Sequence, residues 1–367
     1  MLNSLYIKNY RNLKELTINS LGKVNLIIGK NNTGKSTLLE AVAIYASQGH
    51  FSLIKQFLKD RGEFLDYGYS QSMEARIKTL SSLFRDRKVS FDFPDAILIG
   101  SRKEKLQEQK LPTEDTVSLR LVKYKDEIIK KEGSITTKRQ FFQNDAETIN
   151  DYRIGFEVKS GQDYLLPLED NIGTILLKLQ NNIQIIKARN IGKDTNGTLF
   201  DNIALTDKEQ YVIDALKIIE PLTERIAFVE EAPKERSAVI KLSDSQRVLP
   251  LQSMGDGINR ILAIILALVN AENGYLLIDE FENGLHHSVQ EKLWTIIFKL
   301  SKELNVQVFA TTHSEDCIKG FESVLNNSNS LSDGKLIRLD NENGIIKQVE
   351  FDAKELKIAT NQDIEIR

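Results

Sequence analysis

The sequence predicts an α/β fold: a mixed sheet flanked by helices, with an inserted α+β wing. Three observations predict it. The buried-type strand Val24–Ile28 runs into glycine and then helix. Residues 250–321 alternate helix and strand. The long stretch between these blocks reads as short strands and helices, with no sustained heptads.

The elements follow in order. Leu5–Ile7 and Leu16–Ile18 alternate as short strands. Val24–Ile28 (VNLII) carries the near-continuous apolar pattern of a strand covered on both faces. Helix is expected from Lys35 to Ala46, with Leu38, Leu39, Val42 and Tyr45 on one face. Phe51–Phe57 and Met73–Phe84 pattern as helices and Ala96–Ile99 as extended chain. Residues 116–124, 152–158 and 163–168 read as strands around a polar stretch at 130–150. In LTDKE, Thr206 predicts a helix cap, with Glu209 reaching back and Leu205 at the staple position. Pro221 should end that helix near Glu220. The block 250–321 reads turn, helix, strand (275–278), loop, helix (289–304), strand (306–311), the spacing of a parallel sheet. The expected division is a head from 1–48 and 225–340, an insertion at 49–224, and a tail at 341–367.

Composition narrows the function classes. With 49 basic and 52 acidic residues the net charge is −3, which is not that of a strongly basic nucleic-acid binder. The single cysteine, Cys317, excludes a disulfide framework and fits a reducing compartment. The N-terminal stretch lacks a signal-peptide core. The longest apolar run is 261–269, about half the roughly 20 residues that span a bilayer. A cytoplasmic protein with no membrane anchor is expected.

Residues 29–36, GKNNTGKS, satisfy G-x-x-x-x-G-K-[ST] between a predicted strand and a predicted helix. Glycines let backbone N–H groups close around phosphate oxygens, and the helix N-terminus adds a positive end. Gly29, Asn31, Asn32, Thr33, Gly34, Lys35, Ser36 and Thr37 are therefore the expected ATP-binding residues. Lys35 should reach the β- and γ-phosphates, and Ser36 should ligate Mg²⁺. A Gly/Asn turn capping a helix is the plainer alternative.

In YLLIDE (275–280) two carboxylates emerge at the C-terminal end of an apolar strand, where parallel α/β sheets bind ligands. Asp279 is expected in the Mg²⁺ shell and Glu280 as the base that orients the attacking water. A second apolar strand ends in FATTHS, where His313 could contact the γ-phosphate. A zinc set of His286, His287, His313 and Cys317 can be drawn, but no carboxylate pattern accompanies it.

These pieces, in this order, resemble the ABC-type ATPases over 1–48 and 225–321. The resemblance implies an ABC-type head fold. It places QSMGDGINR (252–260) at the signature position, with Ser253, Gly255, Asp256 and Gly257 contacting nucleotide held by another subunit. It places ENGLHHSVQEKLW (282–294) at the D-loop, including Asn283, Gly284, Leu285 and His286. LYIKNYRNLKEL and VNLIIGKNNTGKSTLLEAV look like the branch containing RecF, SMC and OLD proteins. SMGDG, IDEFENGLHHSVQ and VQVFATTHSEDCI resemble standalone OLD-related AAA-type ATPases, many paired with effectors in anti-phage systems such as Septu and PARIS.

The departures from that pattern also inform. The 244 residues from Lys35 to Asp279 exceed a transporter's insertion. They lack the heptads of SMC arms, and with 46 residues after 321 the TOPRIM nuclease domain of OLD proteins is not expected. The Q-loop glutamine is unplaced, with Gln56 and Gln71 as candidates, and Tyr10 or Arg11 could pack near the adenine. The resemblance implies a slow ATPase, without nuclease activity of its own, that forms a homodimer or higher homo-oligomer and controls a separate effector such as a nuclease. The alternative is a RecF/SMC-type repair or replication ATPase acting on DNA, through basic residues at 101–110 and 120–139.

Overall fold

The computed structural model describes residues 1–64, 71–92, 95–101, 115–131, 134–142, 151–161, 163–169, 182–188, 195–232, 235–244, 247–255, 257–327, 333–352, 355–356 and 358. In chain order the elements are β1 (Leu5–Tyr10), β2 (Leu13–Ile18), β3 (Val24–Ile28), α1 (Lys35–Ala46), α2 (Phe51–Asp60), α3 (Met73–Ser81), β4 (Ile97–Gly100), β5 (Thr116–Lys131), β6 (Ser134–Phe142), β7 (Arg153–Lys159), β8 (Tyr164–Pro167) and β9 (Ile183–Ile186). They continue with α4 (Thr195–Asp201), α5 (Lys208–Ile219), β10 (Thr223–Ala232), β11 (Glu235–Leu242), β12 (Val248–Pro250), α6 (Ile258–Asn270), β13 (Tyr275–Ile278), α7 (His287–Glu303), β14 (Gln307–Thr311), α8 (Glu315–Asn327), β15 (Gly334–Glu342) and β16 (Ile345–Phe351).

Two sheets enclose α1. One has the order β16-β15-β3-β14-β13-β9 and is parallel except for the β15/β16 hairpin. The other is antiparallel, β2-β1-β4-β5-β7-β8, with β6 added to β5. Strand periodicity assigns the faces of the parallel sheet. Ile27, Leu277, Phe309 and Ile337 point into one core with α1 and the antiparallel sheet. Leu26, Ile28, Leu276, Ile278, Val308 and Ala310 point into a second core filled by α5, α6, α7 and α8. The apolar run 261–269 is buried in this second core, so it is the interior helix of a layered fold. Strand β9 comes from the middle of the chain and pairs in parallel with β13 at the edge of the parallel sheet.

Two local expectations differ from the structure. Helix α3 stops at Ser81, short of Phe84, because Leu83 and Phe84 are taken by the β1–β2 turn: Arg11 N donates to Leu83 O at 2.8 Å, and Phe84 bridges Tyr10. The staple at Leu205 is not made. Leu205 is 98% exposed with φ 62°, and Glu209 reaches its N–H at 3.1 Å, while Thr206 Oγ1 accepts from Lys208 N. Among the described residues no helix is long and apolar enough to cross a membrane.

Candidate nucleotide site

The loop after β3 bends through glycine. Gly29 has φ 144° and Gly34 φ 90°, and a Cβ at Gly29 would sit 2.4 Å from Leu339 O. Only glycine fits that approach, which is why the loop can fold tightly over the start of α1. Lys35 at the helix start folds back, its Nζ donating to Gly29 O (2.7 Å) and Lys30 O (2.9 Å). Burial lowers its pKa, against the opposing charges of Asp279, Glu282 and Glu280. The three acids are thus close enough to act electrostatically on the loop lysine.

Parallel pairing brings the ends of β3, β13 and β14 to one rim. Ser36 Oγ donates to Asp279, at 3.1 Å to Oδ1 and 3.2 Å to Oδ2. Thr311 Oγ1 donates to Asp279 Oδ1 at 2.7 Å and accepts from Glu280 N at 2.9 Å. Phe281 N donates to Thr311 O at 2.8 Å. One threonine therefore fixes both carboxylate-bearing residues. Glu280 takes φ 49°, a left-handed conformation that a non-glycine residue holds only when its surroundings enforce it.

Arg260 supplies much of that enforcement. It lies on α6 and is 8% exposed. Its Nη2 donates to Asp279 O (2.9 Å) and Glu280 O (2.7 Å), and its Nη1 to Lys187 O (3.1 Å). Burial lowers its pKa, opposed by Glu282, Glu280 and Asp279. At the end of β14, Glu282 accepts from Thr312 Oγ1 (2.7 Å) and His313 N (2.9 Å), and its Oε1 stands 2.8 Å from His313 Nδ1.

One cleft of about 1030 Å³ is lined by Asn31, Asn32, Gly34, Lys35, Ser36, Thr37, Asp279, Glu280, Thr311 and His313. It continues past Arg11 and Asn12 to Arg85, Asn341 and Ile346. Thr33 is buried in the loop, with its Oγ1 donating to Lys30 O at 2.9 Å. Arg11 and Arg61 both pair with Glu40, at 2.9 and 2.8 Å, on the cleft wall. Tyr10 is fully buried, and its hydroxyl donates to Glu40 at 3.0 Å; it belongs to the core rather than facing a base. Neither Q-loop candidate lines the cleft: Gln56 donates to Asp60 and Gln71 to Phe64 O.

The glycine-rich segment before α6 does not line this cleft. Its Ser253 is exposed and turns its Oγ to Pro250 O at 2.7 Å, Gly255 is exposed with φ 113°, and Asp256 lies outside the described residues. A Cβ on Gly257 would sit 2.6 Å from Gly284 O, so this segment packs directly on the loop of Asn283, Gly284 and Leu285. Asn283 Nδ2 donates to Ala188 O, and His286 caps α7 by accepting from Ser288 N. Cys317 is fully buried, and burial pushes its thiol up. Sequence reasoning missed Arg260, Thr311 and Glu282. The available signals were a basic residue in an otherwise apolar helix and the third acid of IDEFE.

The donor set fits Mg²⁺ bound with a triphosphate. A serine hydroxyl and a carboxylate within hydrogen-bond distance are hard oxygen ligands, and Mg²⁺ takes one or two protein oxygens alongside phosphate and water.

An "ATP/GTP phosphatase" of Helicobacter pylori is 25% identical over 363 residues, covering 92% of each chain. A shorter match, 36% identical over 96 residues, is to an uncharacterised protein of Methanocaldococcus jannaschii, covering 23% of this chain and 44% of that one. Among solved structures, an SMC head bound to the C-winged helix domain of ScpA superposes with a TM-score of 0.51 at 14% identity, over 96% of this chain and 98% of that one. The architecture is therefore that of an SMC head. Residues 24–316 match the family described as "AAA domain, putative AbiEii toxin, Type IV TA system", and the chain belongs to that family.

Proposed function

We propose that the chain is an ATP-hydrolysing switch that closes head-to-tail on a second copy around nucleotide and so controls a partner effector. The observation that carries the reading is the junction of Ser36, Asp279 and Thr311, with Glu280 held beside it and Lys35 in the same cleft. Lys35 exchanges its loop carbonyls for the β- and γ-phosphates. Ser36 and Asp279 would hold Mg²⁺, which would neutralise phosphate charge there. Glu280 orients the attacking water and takes its proton, and His313 faces the γ-phosphate from β14. Ser253, Gly255 and Gly257, exposed or half-buried and outside their own cleft, complete the site of the other copy, with the loop of Asn283–His286 packed behind them.

The relative named ATP/GTP phosphatase supports nucleotide hydrolysis as the activity. Control of an effector in anti-phage defence is the biological reading that fits a head with no long coiled coil among the described residues. Action on DNA is less supported: within 120–139, Arg120 pairs with Glu157 and Arg139 with Asp126, so two of the basic groups there are already engaged by carboxylates. Glu280→Gln tests the whole proposal. Phosphate release should fall by about 10²–10⁴-fold, the typical contribution of a general base, while ATP binding persists and light scattering shows ATP-dependent doubling of mass. Unchanged turnover from a monomer in ATP would overturn it.

A further inference from the structure

We infer that Glu282 is a positioning residue that holds His313 in one tautomer and one orientation at the cleft. The inference rests on the reading that His313 acts beside the γ-phosphate.

The ends of β13 and β14 are zipped together residue by residue. Thr311 takes Asp279, Glu280 and Phe281; Glu282 then takes Thr312 and His313. The Phe281 ring, stacked on Trp294 at 4.1 Å and 6°, anchors the base of the loop in the core. That stack fixes the backbone next to Glu282.

Its carboxylate is 10% exposed, and its oxygens divide their work. Oε2 takes the Thr312 hydroxyl. Oε1 takes the His313 backbone N–H and lies 2.8 Å from Nδ1. The Thr312 hydroxyl and the backbone N–H give each carboxylate oxygen one donor. The third contact goes to a ring that is 55% exposed and lines the cleft. That pairing of a buried acid with an exposed ring sets orientation in addition to stability.

The chemistry follows from the acceptor. A carboxylate only accepts, so Nδ1 carries its proton. In the neutral ring Nε2 is then the acceptor, able to take a hydrogen bond from water. It donates toward a phosphate oxygen only as imidazolium. Glutamine at 282 keeps an acceptor oxygen but adds an N–H₂ donor, which loosens the tautomer without emptying the site.

A double-mutant cycle with a spectroscopic readout tests this on the intact chain. The variants are Glu282→Ala, Glu282→Gln, His313→Ala and Glu282→Ala/His313→Ala. Phosphate release, the affinity for a fluorescent ATP analogue, and imidazole ¹⁵N shifts of His-labelled protein are measured. We expect His313→Ala and Glu282→Ala each to lower kcat by about 10–100-fold at little changed nucleotide affinity, Glu282→Gln to fall between, and the double variant to be no worse than either single. The His313 shifts should report protonated Nδ1 in the unsubstituted protein and lose that signature in Glu282→Ala. Additive losses, or a His313 ring protonated on Nε2 alone, would overturn the inference. If His313→Ala leaves turnover intact while the tautomer still depends on Glu282, the hold stands and the role of His313 at phosphate falls.

Discussion

Arg260→Met removes the side chain that grips the backbone on either side of the two acids. Arg260 is 8% exposed and donates to three carbonyls, of Lys187, Asp279 and Glu280. Methionine fills much of the space but donates nothing, so three part-buried acceptors lose a charged donor. Hydrogen bonds from charged groups contribute about 1.5–3 kcal/mol each, and the desolvation of Arg260, which already lowers its pKa, offsets part of the sum. The net loss is about 3–5 kcal/mol. With an unfolding entropy of roughly 2 cal/mol/K per residue, that lowers Tm by about 4–6 °C. The functional effect should be larger in proportion. Glu280 sits at φ 49°, a conformation costing of order 1–3 kcal/mol, and Arg260 is the main side-chain contact to its carbonyl. Relaxation of that residue should cut kcat by about 10²-fold, since an ångström of misplacement is enough, with nucleotide affinity little changed. Differential scanning fluorimetry and phosphate release measure both. A variant with the original Tm and turnover would refute the argument that Arg260 braces Glu280.

Two further outcomes follow from ionisation and burial. Burial lowers the pKa of Lys35 below 10.5, so in the alkaline range just beneath that value the unfolded chain binds more protons and this group's contribution to stability rises with pH. Phosphate reverses the balance by favouring charged lysine, so ATP binding in that range should take up protons, seen calorimetrically as a buffer-dependent enthalpy that Lys35→Met abolishes. Cys317 is fully buried with its thiol pushed up, so a thiol reagent should leave the native protein untouched and modify one group on denaturation; modification of the native state would contradict the packing of α8.

Much of the fold and of the cleft was legible because local pattern and chemistry coincide. VNLII, the glycine loop and the apolar strands before IDE and TTHS each carry their own signal, and parallel pairing puts their ends together. What the sequence hid was set by contacts between distant segments. Helix α3 is cut short by Arg11, and Leu205 is turned outward by the chain reversal before α5. The left-handed backbone of Glu280 has no glycine to announce it; it depends on Arg260 and Thr311, and those become site residues only once β13, β14 and α6 are packed. Strand β9 is four residues long in a polar region, too short for periodicity to reveal it as a neighbour of β13.

The central claim is that one copy's loop and another copy's glycine segment make a single working site. Mixing Lys35→Ala with Gly255→Glu protein tests it most directly. A Cβ at Gly255 would meet no other described heavy atom within 4 Å, so the glutamate enters open space at the cost of a strained φ of 113°. Each variant alone should release almost no phosphate. In a twofold-symmetric dimer an equal mixture regains one intact site in each mixed dimer, or about a quarter of the original turnover. Full turnover by Gly255→Glu alone, or no recovery on mixing two folded variants, would contradict the account.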